Sequence, residues 1–194
     1  MKRRGFTLVE AMTSLVVLVL IGGAIMAFYA AGARFFARTS LFSQASDAAT
    51  RAAKQIALDA QEGMAVKYAQ SLPVGERSSD SQLVIALPAK DASTGYNLVP
   101  LREGTWFRYY LADKEGVYGS QGTYLWRASK PASSGSWRPE RRLAESVSSV
   151  TFDYVPNLQQ ASRVVVSVTV TARRGGRSAE ATQTTQVLLR NVKE

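Results

Sequence analysis

A glycine followed by a phenylalanine, and a glutamate four residues later, are the residues near the N-terminus whose spacing could serve chemistry. A protease that cuts between Gly5 and Phe6 would create a free amine on Phe6. Residues four apart lie one turn apart in a helix, so Glu10 would then lie beside that amine. An acid near the membrane centre costs roughly 2.5–3.5 kcal/mol, so it usually has a partner. This spacing favours a processing site whose new amine pairs with Glu10.

The segment after Glu10 is long enough to cross a membrane. It runs from Ala11 to Ala33 without a charged side chain, and about 20 apolar residues span the hydrocarbon layer. Positive charges lie before it at Lys2, Arg3 and Arg4, and after it at Arg34 and Arg38. The positive-inside rule places the N-terminus in the cytoplasm and the bulk of the chain outside, by a small margin.

Two other interpretations of this segment stay open at this point. It could be a secretory signal cut after Ala33, because Ala31-Gly32-Ala33 fits the small-x-small rule. It could also be a permanent single-span anchor. Both leave Glu10 without a role, which makes processing at Gly5 the favoured interpretation.

The hexapeptide from Gly5 to Glu10, preceded by a basic leader and followed by an apolar helix, resembles the cleavage motif of type IV prepilins and type II secretion pseudopilins. The resemblance implies that a prepilin peptidase removes residues 1–5 and N-methylates Phe6. It also implies that Glu10 pairs with the amine of a neighbouring subunit, since two charges buried together offset each other's desolvation. The expected location is the inner membrane with the head outside the cytoplasm, and then a filament.

Helical periodicity continues past the membrane segment and predicts one helix from Phe6 to about Gln61, with Gly63 as its terminator. The charged residues, Asp59 among them, fall elsewhere on the helical wheel. The predicted apolar stripe consists of Phe35, Phe42, Ala45, Ala49, Ala52 and Ile56.

The period then changes to two, which predicts strands. The predicted strands are 82–87, 106–112, 123–127, 147–155, 163–172 and 184–190. The Arg174-Gly175-Gly176-Arg177 sequence predicts a hairpin turn. The predicted fold is therefore α+β, a long helix on an antiparallel sheet. The expected organisation is a leader at 1–5, a membrane half of the helix at 6–33, an amphipathic half at 34–62 and a β-sheet head at 63–194.

The head also resembles a narrower group. Its "TYLWR" at 123–127, "LAESVSSVTFDY" at 143–154, "RVVVSVTVT" at 163–171 and final "LLRN" are similar to the heads of J-type pseudopilins and PilW-like minor pilins. The resemblance implies a minor subunit at or near a filament tip that primes assembly or contacts cargo. In that family the subunit that caps the tip tends to lack the acid, so Glu10 argues against the capping role.

Composition gives little support for an enzyme. The chain has no cysteine and no histidine, which removes thiolate and imidazole chemistry and the commonest metal ligands. It contains no Walker-type phosphate loop, and Ser129-Lys130 is expected to lie in a loop rather than to form a catalytic dyad. No catalytic residue, metal or cofactor is predicted.

The positive charge leaves one alternative function. The formal charge of +9 falls to +6 when the three leader cations are removed, and much of the rest is clustered. Two basic loops are predicted: Arg138, Arg141 and Arg142 beside Trp137, and Arg173, Arg174 and Arg177 on the hairpin turn. Such loops could bind DNA or cargo in a competence or uptake pilus. The favoured interpretation is that they are solvated charges or contact acidic neighbouring subunits.

Overall fold

The computed structural model describes residues 7–68, 72–98, 102–132 and 135–189. This part of the chain forms one α-helix, one short 3₁₀ turn and eight strands. The helix and strands are α1 Leu8–Gln61, β1 Ala65–Val66, β2 Leu83–Pro88, β3 Glu103–Ala112, β4 Tyr124–Pro131, β5 Arg138–Ala144, β6 Val147–Val155, β7 Arg163–Arg174 and β8 Arg177–Leu188. The predicted α+β class is confirmed.

The chain divides into two compact units, Met1–Ser40 and Leu41–Glu194. The described part of the first unit is helical from Leu8 onward and exposes nearly all of its side chains, including large apolar ones such as Leu18 and Phe28. By length and composition this helix could cross a membrane. Such a surface needs lipid or other subunits around it, because water solvates it poorly.

The second unit contains two antiparallel sheets, ordered β1-β2-β3-β4-β5 and β6-β7-β8. Residues 41–61 of α1 share one core with side chains from both sheets. Their buried stripe consists of Leu41, Ala45, Ala49, Ala52, Ala53, Ile56, Ala57 and Ala60. The predicted alanines and Ile56 are confirmed. Phe35 and Phe42 are exposed, so their place in the stripe was wrong. The covered stretch begins at Leu41, and Phe42 projects to its uncovered side.

The predicted helix end and hairpin are also confirmed. The Gly63 N–H donates to the Ala60 carbonyl at 3.0 Å just beyond the end of α1. In the hairpin, Arg174 pairs with Arg177, and the two glycines between them have φ values of 56° and 75°. Positive φ at both central residues is what a two-residue hairpin turn requires, and glycine adopts it at little cost.

One full strand, β5, was not predicted, because Arg138–Ala144 was taken for a basic loop. Its side chains are mostly exposed, so it lacks the apolar alternation that marks a half-buried strand. It is the edge of its sheet, and two register shifts interrupt its pairing with β4. Charges, Pro139 and bulges are common protections of an exposed edge. Ser129-Lys130 also lies in a strand, β4, and not in a loop.

Candidate functional site

The first turn of α1 is closed by reciprocal hydrogen bonds between Thr7 and Glu10. The Thr7 N–H and hydroxyl donate to Glu10 Oε2 at 3.3 and 3.2 Å. In return, the Glu10 N–H donates to Thr7 Oγ1 at 3.3 Å. This is a capping box, which satisfies backbone donors that the first turn of a helix leaves without partners. We did not predict it, although the Thr-x-x-Glu spacing is readable in the sequence.

The capping box fixes where the carboxylate of Glu10 lies. It holds a negative charge at the helix N-terminus, where the helix dipole favours an anion. No lysine or arginine lies within 4 Å of it in the described part of the chain. A carboxylate has about four lone-pair sites, so the bonds from Thr7 leave room for a further donor. Gly5 and Phe6 lie outside the described residues, so cleavage and methylation there stay predictions.

Comparison with known proteins gives a match at the N-terminus. Residues 1–26 match the family model of the prokaryotic N-terminal methylation motif. Comparisons with curated proteins and with solved structures give no match. A capped apolar helix that leads into an α+β head is typical of a membrane-anchored filament subunit. The N-terminal segment thus carries the motif of type IV prepilin-like proteins, and this motif implies processing by prepilin peptidase and assembly with other pilin subunits.

The two predicted basic groups lie on different sheets. Arg138, Arg141 and Arg142 are in β5 of the first sheet, whereas Arg173, Arg174 and Arg177 end the β7–β8 hairpin of the second. Arg142 forms an ion pair with Glu145 at 2.7 Å. The structure therefore provides two separate sets of cations, one along the edge strand β5 and one at the end of the β7–β8 hairpin.

Trp137, the aromatic neighbour of the first group, is half-buried and already in contact with cations of the head. The Arg108 guanidinium lies 4.5 Å from its ring centroid and the Lys130 ammonium 5.4 Å. These are cation–π distances. The ring thus has a structural role, and stacking on a nucleic-acid base would compete with it.

A buried polar cluster between α1 and the first sheet was missed by the sequence analysis. Asp59 accepts hydrogen bonds from the Tyr109 hydroxyl at 2.6 Å, Arg127 Nη1 at 3.0 Å and Gln55 Nε2 at 3.1 Å. Its side chain is only 14% exposed, although it lies outside the predicted apolar stripe. A helical wheel cannot show partners that lie 50 and 68 residues away in the chain.

The cluster shifts the pKa values of both side chains that the sheet contributes to it, Tyr109 and Arg127. Burial, together with the neighbouring Asp59 carboxylate, raises the pKa of Tyr109 well above its usual value. Burial acts against the charge of Arg127, but its hydrogen bond and attraction to Asp59 prevail and raise its pKa. Arg127 also pairs with Glu140 on β5 at 3.1 Å. One carboxylate of α1 thereby ties the helix to β3 and β4.

The opposite face of the first sheet carries alternating aromatic and cationic side chains. The ammonium groups of Lys67 and Lys130 lie 4.5 and 4.6 Å from the Trp106 ring centroid. Lys130 pairs with Glu76 at 2.5 Å, and Lys67 pairs with Glu103. Each lysine charge is therefore shared between a ring and a carboxylate.

Arg108 continues this series, but among the described residues no carboxylate lies within 4 Å of it. Its guanidinium lies 4.0, 4.5 and 4.6 Å from the ring centroids of Tyr118, Trp137 and Tyr110. Its Nη1 donates to the Gly75 carbonyl at 2.9 Å. Burial lowers the pKa of Arg108. The three rings and the Gly75 carbonyl together hold a buried cation in the head.

Proposed function

We propose that the protein is a minor subunit of a type IV pilus or type II secretion pseudopilus, inserted near the filament tip to prime assembly. Prepilin peptidase would cut between Gly5 and Phe6 and methylate Phe6. The observation that carries the proposal is the Thr7–Glu10 capping box at the start of an exposed apolar helix. It keeps an acid in place, with acceptor capacity left for the amine of a neighbouring subunit.

The proposal depends on how the Glu10 carboxylate is stabilised before assembly. A lone carboxylate in a membrane helix is costly, and the bonds from Thr7 offset part of that cost within one chain. An amine from another subunit would add a charge-assisted bond, which is stronger than a neutral one. Assembly would then exchange a locally capped acid for an intermolecular ion pair and fix the register between subunits.

The minor role and the position near the tip rest on the head. The segments that resemble J-type pseudopilins and PilW-like minor pilins fall on part of β4, the end of β5, β6 and β7, so they form most of two strands of the second sheet and a small part of the first. Glu10 itself argues against the capping position. The alternative, a DNA- or cargo-binding minor pilin, rests on Arg138, Arg141, Arg142, Arg173, Arg174 and Arg177. It is less favoured because these residues lie on separate sheets.

Processing can be tested at Gly5. Gly5→Leu should leave a full-length precursor in the membrane, because a bulky residue before the cut should not fit a peptidase that accepts glycine there. Mass spectrometry of the wild-type protein should find a methylated Phe6 as its first residue. A mature N-terminus at Arg34, or an intact Met1, would contradict the proposal.

Assembly can be tested at Glu10 with two variants that separate charge from capping. Glu10→Gln keeps a side chain that can complete the capping box but loses the charge, whereas Glu10→Ala loses both. We expect normal processing of both variants and a recovery from sheared filaments reduced by at least about tenfold, since each ten-fold change corresponds to only about 1.4 kcal/mol.

Thr7→Ala is the matched control for the cap. It removes the hydroxyl bonds but leaves the charge, so it should assemble far better than Glu10→Gln. If Glu10→Gln assembles like the wild type while Thr7→Ala fails, the carboxylate acts as a helix cap and the proposed intermolecular ion pair is wrong.

A further inference from the structure

The second unit contains a cleft of about 370 Å³ between the exposed side of α1 and the edge strand β5. Its lining consists of Arg51, Lys54, Gln55, Leu58, Arg141 and Leu143. Three of these side chains are cationic and two are leucines, one of which, Leu58, is 49% exposed. The cleft therefore combines concentrated positive charge with an uncovered apolar surface.

The fold places the three cations at this cleft from two elements. Arg51, Lys54 and Leu58 follow helical spacing along α1, on a different side from the buried alanines. Arg141 is the register partner of Arg127, and paired residues of neighbouring strands project to the same face. Since Arg127 reaches Asp59 on α1, this is the helix side of the sheet.

The charge of the cleft is not compensated within the described part of the chain. Arg51, Lys54 and Arg141 have no carboxylate within 4 Å there. Asp47, one turn before Arg51 on α1, forms no ion pair with it. The acids that flank Arg141 in sequence have other partners: Glu140 pairs with Arg127, and Glu145 pairs with Arg142. Like charges around one cleft repel, so an anion would be stabilised there.

We propose that this cleft receives a carboxylate-bearing segment of a neighbouring filament subunit. This inference rests on the proposed role in assembly and names a docking surface for it. Guanidinium groups match carboxylates in a two-bond geometry. Leu58 and Leu143 can contact the methylene groups of glutamate or an adjoining apolar residue. A cleft of this volume also holds a few side chains rather than a double helix.

The first experiment measures binding of a defined probe to the full-length protein in detergent micelles. The probe is a fluorescent peptide, Glu-Leu-Glu-Leu-Glu with blocked ends, and its affinity is read from fluorescence anisotropy. Arg51→Gln, Lys54→Gln and Arg141→Gln combined should weaken binding by at least about tenfold, because interfacial charge pairs carry large coupling energies. The matched control is Arg173→Gln, Arg174→Gln and Arg177→Gln combined, which removes the same charge elsewhere and should stay within about twofold of the wild type.

A competition experiment identifies the chemical class of anion that the cleft binds. Neither duplex DNA nor phosphatidylglycerol vesicles should displace the peptide from the wild-type cleft at equal charge concentration. Displacement by DNA or by vesicles would overturn the inference in favour of a phosphate ligand. Equal loss of binding in both triple variants would overturn it as well, since it would show non-specific charge attraction. Arg141→Gln alone, a milder change of an exposed side chain, should weaken peptide binding without lowering the unfolding temperature.

The second experiment separates this inference from the proposed function. In cells, the cleft variant should be processed normally but recovered poorly in sheared filaments, and the hairpin control should be recovered like the wild type. Normal recovery of the cleft variant would overturn the docking surface and leave the proposed function intact. If the wild-type chain is neither processed nor assembled, the proposed function fails, and the peptide measurement still decides whether the cleft binds carboxylates.

Discussion

The two faces of the first sheet are buried by different chemistry. Toward α1, aliphatic residues such as Ile85 and Leu125 meet a stripe of alanines. On the other face, Trp106 and Tyr110 alternate along β3 with the buried cation Arg108. A helix offers a smooth surface with its backbone groups already bonded, so plain apolar contact suffices there.

The outer face meets irregular segments whose carbonyls need donors. Arg108 donates to the Gly75 carbonyl, the Tyr110 hydroxyl to Gly116 at 2.7 Å, and Trp126 Nε1 to Asp113 at 2.9 Å. Buried backbone acceptors must be satisfied, and side chains with an apolar body and a polar tip can do so while they still pack. The comparison teaches that the element packed against a sheet face determines which side chains that face carries.

The largest expected effect comes from the polar cluster around Asp59 on the helix side. Asp59→Leu would leave the mostly buried Arg127 without its helix partner and the Tyr109 hydroxyl without an acceptor. We expect a loss of about 3 kcal/mol in the free energy of unfolding, measured with denaturant in detergent, because Arg127 would keep only Glu140 as an ion-pair partner and the buried Tyr109 hydroxyl would lose its acceptor. Asp47→Leu on the exposed side of α1 is the control and should change stability by less than about 0.5 kcal/mol. A loss below about 1 kcal/mol at Asp59 would mean that the apolar contacts alone hold the helix.

On the outer face, Arg108→Met tests whether the charge or only the volume of the Arg108 side chain stabilises the packing of the surrounding aromatic rings. Methionine keeps a long apolar side chain but loses the cation–π contacts and the bond to Gly75. We expect a loss of about 2 kcal/mol in the free energy of unfolding. Arg174→Met, at the exposed end of the hairpin, is the control. A variant as stable as the wild type would show that the outer face is an ordinary apolar layer and would remove the contrast between the two faces.

The smallest expected effect is at Tyr109. Tyr109→Phe keeps the ring in the core and removes one hydrogen bond to Asp59, for a loss of about 1 kcal/mol near neutral pH. The raised pKa of Tyr109 means that the folded state favours its neutral form. This group's stabilisation is therefore complete below the ordinary tyrosine pKa of about 10 and is lost as pH rises above it. Stability curves of the two proteins should converge above about pH 10, and a constant gap would contradict the assigned cause.

The sequence predicts those features whose signal is local. The end of α1, the alternating valines of β7 and the Gly175-Gly176 turn follow from spacing over a few residues. The N-terminal motif is likewise linear. β5 is not predicted because an exposed edge strand has no buried face, so its sequence does not alternate between apolar and polar residues. Asp59 escapes it because burial of its charge depends on partners that only the folded sheet supplies.

The alanine stripe of α1 has a consequence for how the head orders. Alanine has no side-chain rotamers to lose on burial, so docking residues 41–61 on the sheets costs almost only backbone entropy. Helix formation itself is expensive to start and cheap to extend. Since α1 is continuous from Leu8 to Gln61, the alanine stretch can extend a helix already begun in the apolar half. The sheets would then pack against a preformed helix. This helix would have little conformational entropy left to lose.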